Sequence, residues 1–509
     1  MDVAQQADHC SFRVGPLRRI HWEVRMRWRR YIGNVIVVTL TVGLLVSSWG
    51  CTGSPAGGDQ PVVQVGDVAT REGTGLWAVK GMTSLPSDIR KLFGWSGNND
   101  VFDPMNSPYS YHSPVQDVAG TIFIPDSGLT AINSDGAQLW HATVGDGVEG
   151  PVVVVGALVY VVAGETNPNN PGDQQDRLWC LEAASGRIVW KTEPVGHSAG
   201  MASGTMPVIA DGRVFLPVSE VTETDVLKYG TWTLPQLRGK TYIGMWNATS
   251  GKPLGTNLAA PWDALYAFST TACTDGRTVF FAGPAARDNR EEILVQAVDA
   301  ENGKSLWSRS VLSGMKGNGV LALAGDTVIF EACAAAVSSN TNGQQDSAEH
   351  MHAMAFSAAT GAVLWTQELP AGSFPSLQSP HLAVVGKTAY MPTRSGRIVA
   401  EDVDTGHRVW ERQLPRVTLH EFDESTQEVR DVQWHDSFWL AATPEVLYVV
   451  SKITGEVRAL RLTDGATLWE RDVKLVDGVW PVQKGLLVLH TPYDTPSGQK
   501  GQTRLELWH

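Results

Sequence analysis

One recurring phrase constrains the fold of this chain more than any other feature. It consists of alternating apolar residues, a small polar or acidic residue followed by glycine, three free positions and a tryptophan. It reads TAINSDGAQLW ending at Trp140, CLEAASGRIVW at Trp190, AVDAENGKSLW at Trp307, AFSAATGAVLW at Trp365, AEDVDTGHRVW at Trp410 and ALRLTDGATLW at Trp469. A seventh copy, MWNATSGKPLG, has Gly255 in the tryptophan's place. The glycines fall at 136, 186, 251, 303, 361, 406 and 465, which is 45 to 65 residues apart. A period of that size marks a repeat array, and it overrides the three domains that 509 residues would otherwise suggest.

The alternation before and after the glycine predicts two short strands around a tight turn that needs a positive φ. A second element follows each copy after a variable link, as in GPVVVVGALVYVV, MPVIADGRVFLPV and PHLAVVGKTAYMP, and it predicts another hairpin. Two hairpins make the four strands of a propeller blade. An unpaired second element, SPVQDVAGTIFIP at 113–125, precedes the first tryptophan phrase, and TRLELWH at the other end begins a first element that is not finished. Strands from the two ends are therefore expected to complete one blade, which removes the exposed edges of an open array. The expected fold is an all-β, eight-bladed β-propeller over 101–509, about 51 residues per blade, with seven blades as the alternative if the ends do not close.

Trp140, Trp190, Trp307, Trp365, Trp410 and Trp469 occur once per blade, at the same strand position. An indole there buries a large apolar area and offers its N–H to a carbonyl, so these residues are expected to be wedges between blades. A stacking platform for sugars or a cofactor is the other reading, but a single site cannot use six residues in six blade junctions.

The segment before the repeats is different in kind. An arginine-rich cluster from Arg25 precedes an apolar run from Tyr31 to Trp49, which as a helix spans about 28 Å, close to a bilayer core. The positive charges place the preceding side in the cytoplasm and the rest of the chain outside. The run ends in SSWGC, which resembles a lipoprotein signal-peptide box with Cys51 as the lipidated residue. An uncleaved, single-pass membrane anchor is the alternative. Residues 1–51 are accordingly assigned to a signal peptide or anchor helix, and 52–100 to a tether and amino-terminal extension. Beyond the leader, 33 basic residues face 50 acidic ones, about −17 in charge, and no basic stripe interleaves with aromatics. No nucleic-acid partner is expected.

LEAASGRIVW and PVVVVGALVYVV resemble the repeat of the pyrroloquinoline-quinone (PQQ) family of β-propellers. That repeat has an alternating strand, Asp-x-x-Thr-Gly, three residues and a tryptophan, then Pro-Val-Val and Gly-x-Val-Tyr-Val. The resemblance covers about 120–509. It implies either a periplasmic quinoprotein dehydrogenase or a non-enzymatic relative of the BamB lipoprotein type.

Resemblance to the dehydrogenases would further imply adjacent cysteines over the quinone, calcium ligands and an aspartate base. The cysteines here are 10, 51, 180, 273 and 333, none adjacent, and there is no Cys-x-x-Cys-His for haem. Cys180, Cys273 and Cys333 are expected as buried small residues, with any pairing among them left open. The acidic stretch HEFDESTQEVRDVQWHD, 420–436, matches no metal-ligand spacing and is expected to be a solvated loop. No catalytic, cofactor or metal residue is assigned. Longer connections at 219–241, 334–350 and 415–437 are expected to shape a binding face. The expectation is a bacterial, membrane-tethered, extracytoplasmic scaffold that binds a protein and is not an enzyme. A divergent oxidoreductase using PQQ with calcium and a carbohydrate-binding surface protein are the alternatives.

Overall fold

The computed structural model describes residues 75–78, most of 115–490 and 504–508. The apolar run 31–49 and Cys51 lie outside the described residues, as does the rest of 52–100 apart from Gly75–Ala78. Every regular element among the described residues is a strand, and none is a helix long and apolar enough to cross a membrane.

The sixth sheet shows how the sequence builds each unit. Its strands are Ala383–Val385, Thr388–Pro392, Arg397–Asp402 and Arg408–Gln413, each antiparallel to the next. The turn before the last strand closes because the Asp402 carboxylate accepts the backbone N–H of Thr405 at 2.9 Å and its hydroxyl at 2.7 Å. Gly406 then supplies the positive φ of 69°. The strands in the middle of the sheet are buried on both faces. Ala389, Met391 and Val399 pack against the fifth sheet, whereas Tyr390, Ile398 and Ala400 pack against the seventh. The outer strand is exposed except for the buried Trp410 and the half-buried Arg412. Apolar burial of this kind contributes about 1.5–3 kcal/mol per large side chain, so the core lies between sheets.

Eight sheets of this kind occur among the described residues, seven of four strands and the second with two further short strands, and seven of the eight follow one another along the chain from Val115 to Asp472. First strands pack on one another in order: Thr271–Thr274 on Met315–Ala324, that strand on Ala383–Val385, then Phe438–Ala442 and Val476–Val482. The eighth sheet joins Val476–Val482, Gly485–His490 and Arg504–Trp508 to Gly75–Ala78. Its outermost pairing runs from Gly75↔Trp508 to Ala78↔Glu506. Residues from the two ends of the chain thus share one sheet.

The acidic stretch at 420–436 is not a loop. Arg416–Asp423 and Glu428–His435 pair from Arg416↔His435 to Asp423↔Glu428 as a separate two-stranded hairpin. Val417↔Trp434 and Leu419↔Val432 are opposed in register, so an apolar alternation persists beneath the charges.

Candidate functional site

The tryptophans make the same contact at successive sheet junctions. Trp140 Nε1 donates to the Ala183 carbonyl at 2.9 Å, Trp190 to Ala248 at 3.1 Å, Trp307 to Ala358 at 2.7 Å, Trp365 to Val403 at 2.8 Å and Trp410 to Leu462 at 2.7 Å. Each acceptor lies three residues before the glycine of the following repeat, and that glycine packs on the indole. A Cβ on Gly186 would sit 2.4 Å from Trp140 Cε3, so glycine there is required by close approach as well as by its φ of 69°. Trp469 makes no such bond among the described residues; the residues before Gly73, where the repeat's spacing puts its acceptor, lie outside them. These indoles are spent on junctions and gather into no common site.

The room for each indole comes from its neighbour. Trp140, Trp307, Trp365, Trp410 and Trp469 stand opposite Ala131, Ala297, Ala355, Ala400 and Ala459, and Trp190 stands opposite Cys180. In the third sheet Gly255 stands opposite Met245, whose side chain packs into the core shared with the fourth sheet. The lost indole is replaced in part by a larger neighbour. Trp77, in Gly75–Ala78, has the tryptophan's place in the eighth sheet and stands opposite Leu507 beside the same one-residue bulge. Sequence reasoning missed it, although Gly73 precedes Trp77 by the repeat's own four residues.

The topology gathers the long connections at one end of the sheets. Strands follow chain order and alternate in direction, so the turns within each hairpin lie at one end. The links between the second and third strands, and from the fourth strand to the next sheet, lie at the other. Two structures extend from that second end. In the third sheet, Arg213–Tyr229 and Trp232–Asn247 are strands of 17 and 16 residues, paired out to Tyr229↔Trp232. The corresponding strands of the sixth sheet have 5 and 6 residues. At about 3.3 Å per residue the excess is on the order of 40 Å of strand. The other structure is the hairpin 416–435, inserted between the sixth and seventh sheets.

That hairpin is fixed at its base. The His435 ring lies over Gly372 and Gly396, where a Cβ would come within 2.6 and 2.9 Å of it. Burial lowers the His435 pKa, and the nearby charges of Arg416 and Arg397 lower it further. Asp436 is buried and accepts the backbone N–H of Ser437 at 2.7 Å. Burial raises its pKa to about 6 against the opposing hydrogen bonds from Ser451 and backbone. Away from the base, Val429 is 58% exposed.

Other buried polar groups tie sheets together. Glu331, in the fifth sheet, accepts the backbone N–H of His381 at 2.9 Å, and His381 Nδ1 accepts the backbone N–H of Leu440 in the seventh at 3.2 Å. Complete burial holds the Glu331 carboxyl well above its usual range. Glu401 is also raised by burial, with Arg408 opposing through bonds of 3.0 and 3.2 Å to the same oxygen. Cys180, Cys273 and Cys333 are buried, and none of them forms a disulfide. Among the described residues no group of three or more His, Cys, Asp or Glu side chains is placed to hold a metal.

No curated protein matches the chain. Among solved structures, BamB from Moraxella catarrhalis is similar at 14% identity, covering 78% of this chain and 97% of that one with a TM-score of 0.45. The quinohemoprotein alcohol dehydrogenase from Comamonas testosteroni also has 14% identity, with 78% and 73% coverage and a TM-score of 0.45. The model of the PQQ-like repeat family described as outer membrane protein assembly factor BamB matches residues 64–228 and 239–471. The interval between the two matched stretches is the tip of the long hairpin of the third sheet. The family model matches well over half of the chain, and the chain belongs to that family: a β-propeller of the PQQ-like, BamB-described kind.

Proposed function

We propose that the chain is an eight-bladed propeller, closed by Gly75–Ala78 and Arg504–Trp508, that binds a protein partner at the end bearing the long hairpins. The observation that carries the reading is the placement of both extended structures, 213–247 and 416–435, at the same end of their sheets. In an eight-membered ring the third sheet and the sixth-to-seventh junction are nearly opposite, so the two hairpins would flank a partner over the central channel. Family membership supports the scaffold role, since the matching family is described by an assembly factor. The leader, with the apolar run 31–49 and Cys51, supports a lipid-anchored position on the extracytoplasmic face of the membrane, with a single-pass anchor as the alternative.

No catalytic role and no PQQ are proposed. Cys180, Cys273 and Cys333 are separated in sequence and lie in different sheets, so they offer no adjacent-cysteine pair of the quinoprotein kind. The test of the scaffold reading is crosslinking in intact cells, comparing the full chain with a variant in which 417–434 is replaced by a short turn and another lacking 222–238. Loss of the same crosslinked partner from both variants, with melting temperatures held, is the expected result. Retention of the full partner set in both would overturn it.

A further inference from the structure

We propose that His350 and His352 form a two-imidazole chelate for a divalent transition-metal ion, with Glu368 as the carboxylate that orients His350. This goes beyond the scaffold reading and does not depend on it. The two histidines occupy alternate positions of the strand His350–Ser357, so both side chains leave the same face of the fifth sheet. Their rings are 6.4 Å apart at an interplanar angle of 40°. His350 Nδ1 is 2.6 Å from Glu368 Oε1 on the neighbouring strand.

An ionised carboxylate only accepts, so Nδ1 carries the proton and Nε2 presents its lone pair. That carboxylate-behind-imidazole arrangement is how second-shell groups fix metal-binding histidines. His352 is nine-tenths buried, and its Nε2 has no hydrogen-bond partner among the described residues. A buried, unpaired ring nitrogen beside a second oriented imidazole is a ligand set of two. Among the described residues no third protein ligand joins it, and water would supply the remaining donors. Imidazole donors suit Cu(II), Ni(II) and Zn(II) rather than calcium or magnesium. His350 keeps the pair accessible, its side chain being 41% exposed.

The test titrates the full-length protein in detergent with Cu(II) and with Ni(II), read by calorimetry, and by electron paramagnetic resonance for copper. The chain has 13 histidines, so the variants identify the site. One saturable ion per chain is expected, with nitrogen coordination in the copper spectrum. His350→Ala, a surface change, should weaken that component at least tenfold, and His352→Gln should do the same. Glu368→Gln should weaken it about tenfold, the lower end for loss of a second-shell partner. Absence of a saturable component, or one unaltered in His350→Ala, would overturn the proposal.

Discussion

The backbone N–H of His381 donates to the Glu331 carboxyl at 2.9 Å, and the same histidine accepts from Leu440, so one residue joins the fifth, sixth and seventh sheets through buried polar bonds. Burial favours the neutral form of Glu331, and the folded pKa lies well above the ordinary glutamate value of 4.5. Between those two values the folded chain holds a proton that the unfolded chain has lost. The stabilising contribution is therefore complete below about 4.5 and is lost as pH rises through the folded pKa. Glu331→Gln keeps an acceptor for His381 and removes the titration. Thermal melts from pH 4 to 8 should show a flatter profile for this variant than for the natural chain. An unchanged slope would place the pH dependence elsewhere.

Asp436 offers a second titration with a defined window. Its pKa rises from 3.8 to about 6 on folding. Stability present below 3.8 should fall as pH rises to about 6, by roughly 3 kcal/mol at 1.36 kcal/mol per unit. Asp436→Asn should abolish that decline. Hydrogen exchange should also show the base of the hairpin 416–435 better protected in the variant at pH 7 than in the natural chain.

The junction tryptophans should separate packing from hydrogen bonding. Trp410→Phe retains an aromatic ring beside Tyr390 but loses the 2.7 Å bond to Leu462, and should cost about 1–3 kcal/mol. Trp410→Ala also opens a cavity and should cost about 3–5 kcal/mol. Denaturant melts of both variants measure the difference.

Met245 and Gly255 should behave as a coupled pair. Met245→Ala alone removes the side chain that packs into the core between the third and fourth sheets, at a cost of about 2 kcal/mol or more. Met245→Ala with Gly255→Trp restores the arrangement of the other sheets and should recover part of that loss, despite the positive φ of Gly255. A double-mutant cycle gives the coupling. Strict additivity would show that the two positions do not share space.

Removing 504–509 should unfold far more than one strand. Arg504–Trp508 lies between Gly485–His490 and Gly75–Ala78, so its loss detaches the outer strand and leaves an edge of the sheet unpaired. The truncated chain should lose the cooperative melt of the full chain. A melt within a few degrees of the natural one would count against closure through this sheet.

The amino-acid sequence by itself determined the repeat unit, because turn chemistry and strand alternation are local. Asp402, Thr405 and Gly406 are neighbours in the chain, and their turn can be read without knowing what it packs against. The six tryptophans and the unfinished strand RLELW were legible for the same reason. Trp77 obeys the same spacing but stands alone, far from the other copies, and only its pairing with Leu507 assigns it to the eighth sheet.

In the hairpin 416–435, charges hid the apolar alternation of Val417, Leu419, Val432 and Trp434, since the preference for pairing over solvation depends on the opposite strand. Gly255 was readable in the tryptophan's place, but its coupling to Met245 was likewise invisible. Positions 245 and 255 become neighbours only when the strands align, and their volumes matter only against the next sheet. Glu331 reads as an ordinary charge within FEACAAA, and its burial arises from the closing of three sheets around it. Tertiary structure decided these features because packing volume and desolvation are properties of the assembled interior, whereas turns and alternation are written in adjacent residues.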